Sequence, residues 1–186
     1  MWWSEHRSGW LARLAAALAL ASLVGGCFEP LYGSKPSVDS ESVRDKLSAV
    51  EIPVINARKG THVARIAVGM RNALQFDMNG GAGANAPTHR LMVVVGTGVM
   101  TVIVDVTSGR PDAQVDSVAA NFTLVEIASG KTVLSGVTYA HVDYDIPGTA
   151  QRFAKQRAQR DAEDRAIQVC AEQIRNRLAS YFVTGG

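Results

Sequence analysis

The sequence predicts a two-layer α+β sandwich, a mainly antiparallel four-stranded sheet covered by two helices in the order strand-helix-strand-strand-strand-helix. Three observations carry that expectation. Residues 91–106 hold one charge, Asp105, and ten of the sixteen are Val, Ile or Thr, which is strand composition. Residues 117–127 and 132–143 alternate on either side of Ala128-Ser129-Gly130-Lys131, the signature of a hairpin. Residues 149–182 place Phe153, Ala154, Ala158, Ala162, Ala166, Ile167, Cys170, Ile174, Leu178, Tyr181 and Phe182 on one face of a long amphipathic helix. The composition fits one packed domain, with 47% hydrophobic and 19% charged side chains in 186 residues. Nineteen basic against 17 acidic side chains is too balanced for a protein whose main work is neutralising a nucleic-acid backbone, so no nucleic-acid partner is expected.

Taken in chain order, residues 1–26 read as an export signal. Arg7 and Arg13, with Glu5 and His6, precede an apolar run over 14–24 that is too short to span a membrane as a mature helix. Leu23-Val24-Gly25-Gly26-Cys27 resembles a bacterial lipobox, in which the cysteine is acylated and becomes the first residue after cleavage. An uncleaved helix or an ordinary secretory signal is the alternative. Two or more acyl chains at Cys27 would anchor the chain stably, at roughly 0.8 kcal/mol per buried methylene. Phe28 is not the aspartate that retains enteric lipoproteins at the inner membrane, so the same resemblance implies the outer membrane. Residues 27–48 are expected to be a lipidated segment and tether, polar over 33–42 with Pro36 and four serines, and 49–186 to be the domain.

Within the domain, residues 50–55 surround Pro53, which cannot donate to a ladder, and predict a short edge strand. Residues 61–76 repeat apolar side chains at helical spacing behind Thr61, a suitable cap. The glycine-rich stretch 77–87 lacks the Lys-Ser/Thr ending of a phosphate loop. Residues 91–106 are read as one long bent strand rather than two strands broken at Gly96-Thr97-Gly98. Two glycines and the β-branched richness argue against a membrane helix there.

Candidate chemistry is sparse. His141, Asp143 and Asp145 alternate, so a strand would put all three on one face, where a divalent ion could bind or where they are simply a solvated surface. His62 and His89 have no evident partner and are read as surface residues. Cys170 falls among apolar positions and reads as a small buried side chain. Arg152, Lys155, Arg157, Arg160 and Arg165, with Asp161, Glu163 and Asp164, read as a mixed, solvated helix face whose rival meaning is contact with an acidic partner. Arg110 and Lys131, both in turns, are expected to converge on one rim of the sheet, where they suit phosphate. No catalytic set, metal site or cofactor is assigned.

Cys27-Phe28-Glu29-Pro30-Leu31-Tyr32-Gly33 resembles the start of the lipopolysaccharide-assembly lipoprotein family LptE in its alphaproteobacterial form, although Phe28 follows the cysteine without an intervening glycine. The layout is also similar, with one helix early and a long charged helix at the end. The resemblance implies a non-enzymatic, lipid-anchored outer-membrane protein facing the periplasm. It would plug the LptD β-barrel and help deliver lipopolysaccharide to the outer leaflet, with Arg110 and Lys131 as candidate lipopolysaccharide contacts. The alternative is a periplasmic lipoprotein that binds a small ligand or metal through the His141-Asp143-Asp145 face.

Overall fold

The structure, a computed structural model, describes residues 42–84, 86–104, 111–145 and 152–184. Helix α1, Val43–Ser48, opens with a capping box. The Asp45 amide donates to Ser42 Oγ, and the Ser42 amide donates to Asp45 Oδ2, each at 3.2 Å. It was not expected, because residues 27–48 read as tether. Its purpose is visible in Leu47, which is only 2% exposed and joins the core. Strand β1, Val50–Glu51, is the edge strand foreseen at 50–55 but stops short of Pro53, and Ile52 and Ile55, on either side of that proline, are buried off the ladder.

Helix α2, His62–Asn79, begins at the Thr61 cap and runs three residues past the expected end. Gly80, at φ +69°, closes it in the left-handed conformation that glycine adopts without steric cost. Its buried stripe is Ile66, Ala67, Met70, Ala73, Leu74 and Met78. The crossover through α2 makes β1 parallel to strand β2, His89–Val104, with Val50 opposite His89. Strands β3, Pro111–Glu126, and β4, Thr132–Asp145, add antiparallel, giving the sheet order β1-β2-β3-β4.

Strand β2 is a single strand over its described length. Its register with β3 is regular through Gly96 and Gly98, opposite Ala119 and Ser117, and shifts only between Thr101 and Val104. The irregularity therefore lies nearer the end of the hairpin than the glycines suggest. Gly98 sits against its neighbour instead, its carbonyl accepting from Ser117 Oγ at 3.1 Å.

Helix α3, Arg152–Val183, lies across the inner face of the sheet and beside α2. It buries Ala162, Ala166, Ile167, Cys170, Ala171, Ile174, Leu178, Ala179 and Phe182 against Val118, Ala120, Phe122 and Leu124 of β3 and Ala140 and Val142 of β4. Gly69 makes the close pass between the helices possible, since a Cβ there would lie 3.0 Å from Ile167 Cδ1. Phe153 departs from expectation, being 87% exposed. Ala154 and Ala158 are only half-buried, and the fully buried stripe begins at Ala162, so helical phase alone did not tell where the helix meets its core. The residues from Asp39 to Gly186 form one compact unit. Among the described residues no helix is long and apolar enough to cross a membrane.

Candidate functional site

The first turn of α2 and the middle of α3 meet over a buried carboxylate. His62 and Arg65, three residues apart, project from the same side of α2. Glu163 faces them from α3 with its side chain only 2% exposed. One of its oxygens bonds His62 Nε2, the other pairs with Arg65 Nη2, and Arg65 Nη1 reaches on to Asp164 at 2.9 Å. A charge this deep is tolerated only when paired and hydrogen-bonded. An open groove of about 340 Å³, lined also by Gly60, Thr61, Gln156, Gln159 and Arg160, leads to the cluster from solvent.

Behind the cluster, Asp116 projects from β3 into the same region and is 3% exposed. Gln159 is the side chain that faces it as a hydrogen-bond partner. Burial pushes the Asp116 pKa up, against the opposing pull of the His62 ring and the Gln159 amide. The neighbouring Cys170 is a poor nucleophile, because burial raises its pKa and its thiol faces the Val118 carbonyl at 3.6 Å. The assembly is therefore a cross-brace between two helices with a buried acid beneath it, suited to binding and support.

Of the residues singled out by sequence, Cys27 and Arg110 lie outside the described residues. Lys131 is exposed beyond the β3–β4 turn, where Gly130 takes φ +67° and the Glu126 amide donates to the Lys131 carbonyl. Pro111, the residue after Arg110, opens β3, whereas Lys131 follows its other end. Sixteen residues at ~3.3 Å each put the two ends of β3 about 50 Å apart. His141, Asp143 and Asp145 do share the exposed outer face of β4. Among the described residues, however, no three His, Cys, Asp or Glu side chains group so as to hold a metal ion. Cys170 is buried as expected. His89, read as a surface residue, is half-buried, with its ring edge-on to Phe182 at 5.2 Å between centroids. His62 is half-exposed but has a partner, and Glu163, assigned to the solvated face, is in the core.

A helix-backed antiparallel sheet extended by a parallel edge strand, with a buried ion cluster between its two long helices, defines a small α+β domain. The chain belongs to the LptE family, whose model, described as lipopolysaccharide-assembly, matches residues 47–178. The fold is shared with a protein described as a lipoprotein from Caulobacter crescentus CB15, at TM-score 0.59 and 20% identity over 77% of this chain and 97% of that one. It is shared also with the rare lipoprotein B of Shewanella oneidensis, at TM-score 0.51 and 16% identity over 73% and 96% of the two chains. Among curated proteins, none matches the sequence. Family membership makes this an envelope lipoprotein with a part in lipopolysaccharide assembly.

Proposed function

We propose that residues 1–26 are removed, that acylated Cys27 anchors the chain in the outer membrane, and that the domain beginning near residue 49 faces the periplasm and plugs an LptD β-barrel. In this reading the protein is not an enzyme; it supports the barrel and assists transfer of lipopolysaccharide to the outer leaflet. The observation that carries the reading is the family match, which runs from Leu47 at the end of α1 through the whole sheet and along α3 as far as Leu178. The long polar face of α3 and the two turns offer cations to an acidic lipid or a polar barrel wall.

Isolation of the full-length protein from membranes in mild detergent should bring a large barrel protein with it at near-equal amounts. Recovery of the chain alone from intact outer membrane would overturn the plug. Cys27→Ser should leave unprocessed precursor without acyl label, and normal acylation of that variant would overturn the anchor. Arg110→Glu and Lys131→Glu are tested singly. Loss of one charge-assisted phosphate contact, about 1.5 to 3 kcal/mol, should weaken lipopolysaccharide binding about tenfold or more. Unchanged binding in both variants would remove the turns from the lipopolysaccharide site while leaving the family role in place.

A further inference from the structure

The stripe of α3 that faces α2 outlasts its partner. Ile167 passes Gly69, and Glu163 meets His62 and Arg65 in the first turn of α2. At helical spacing the same stripe runs back through Arg160 and Gln156 to Phe153, past the start of α2. Arg160 and Gln156 line the open groove of about 340 Å³ together with Gly60 and Thr61, and Phe153, one turn further on, is exposed. Charge collects here. Residues 58–65 hold Arg58, Lys59 and Arg65 and no acid, and residues 152–165 hold five cations and three acids, a formal +5 against +2 for the whole chain. The three acids are engaged, Asp161 with Arg165, Asp164 with Arg65, and Glu163 with His62 and Arg65. Asp116 lies buried behind them, its pKa pushed up by burial toward the uncharged form. Arg160 is exposed and holds no ion pair among the described residues. Thr61 Oγ1 accepts from the Ala64 amide, which leaves the His62 and Val63 amides of the same turn without an acceptor inside the helix.

We propose that this groove is a binding site for the phosphate headgroup of an amphiphile. Arg160 supplies a bidentate, charge-assisted contact, Gln156 and the first-turn amides of α2 supply further donors, and Phe153 lies against the first methylenes of the tail. An exposed aromatic ring one turn from an uncommitted cation is what favours an amphiphile over free phosphate. The site rests on the reading of α3 as a face offered to an acidic lipid, but it needs neither the barrel nor the turn cations.

The test is calorimetric titration of the full-length protein in a nonionic detergent with dioctanoyl phosphatidic acid, and separately with dioctanoylglycerol, which lacks the phosphate, and with inorganic phosphate. Phosphatidic acid should bind about tenfold or more tightly than either of the others, and less tightly as salt is added. Arg160→Gln should weaken that binding about tenfold and Phe153→Ser severalfold, both with the melting temperature of the parent because both side chains are exposed. Lys131→Glu should leave it unchanged. Loss of binding in Lys131→Glu with none in Arg160→Gln would overturn the groove while leaving lipid binding at the turns in place. Inorganic phosphate bound as tightly as phosphatidic acid would overturn the amphiphile, dioctanoylglycerol bound as tightly would overturn the headgroup, and absence of phosphatidic acid binding by the parent would overturn the site. None of these results bears on the plug, which is read separately from co-isolation of the barrel.

Discussion

At position 163 a carboxylate occupies a place that its neighbours Ala162, Ala166 and Ile167 would lead one to give to an aliphatic side chain. Its partners stand about a hundred positions earlier, His62 being 101 residues away. No local pattern reports a pairing at that distance, which is why the cluster was illegible while the cap at Thr61 was there to be read. The arrangement predicts an asymmetry. Arg65→Ala leaves the buried Glu163 charge with His62 alone and should cost about 3 kcal/mol, measured by urea unfolding. Glu163→Gln removes the buried charge and lets the part-exposed Arg65 turn toward Asp164, and should cost only about 1 kcal/mol. Asp116 gives a prediction in pH. Its folded pKa is raised by burial, so the folded state holds its proton more tightly than the unfolded chain, whose carboxyl titrates near ~3.9. Its contribution is thus full below the unfolded pKa and is lost as pH rises through the folded one. Asp116→Asn should remove that fall and raise the melting temperature at neutral pH, as thermal melts across pH 3 to 7 would show; an unchanged pH profile would contradict it.

At the scale of elements, the three long strands and two long helices were legible because each repeats its pattern over fourteen residues or more. What failed were ends and meeting points. Phe153 continues the apolar phase of α3 but lies where the helix is not yet against its core, and β1 is too short for two residues to signal anything but the proline that ends it. The interior of α3 is firmer ground. Leu178→Ala should cost about 2 to 5 kcal/mol, and Leu178→Asp, a charge at a fully buried position, should abolish folding, while Arg157→Ala on the exposed face should shift the melting temperature very little. Equal melting temperatures for all three would refute the helix phase. Gly136 on β4 meets a second constraint, since a Cβ there would lie 2.9 Å from the buried Phe122 ring, over which Arg177 also stacks. Gly136→Ala should cost about 1 to 3 kcal/mol by forcing Phe122 aside, as calorimetry would register.

The whole molecule follows a simple plan: one crossover, a three-strand meander, and a helix laid over the result. The meander was visible in sequence because its connections are short, whereas the parallel placement of β1 depends on where α2 returns the chain, a tertiary decision with no local mark. Leu47 and the capping box at Ser42 tie α1 into the compact unit. A chain beginning at Ser34 should therefore melt as the full chain does, and one beginning at Ala49, without α1, should melt several degrees lower.

Because α3 comes after all four strands, the order of synthesis and the order of burial are opposed. Until Arg152–Val183 has emerged, Phe122, Leu124, Val118 and Leu91 form an uncovered greasy sheet, with α2 shielding only part of it. A chain crossing a membrane with its N-terminus leading would carry that surface for the time needed to deliver its last helix, open to pairing with other chains. Under the export proposed above, variants that slow closure of α3 should be lost to proteolysis before any loss of equilibrium stability is seen.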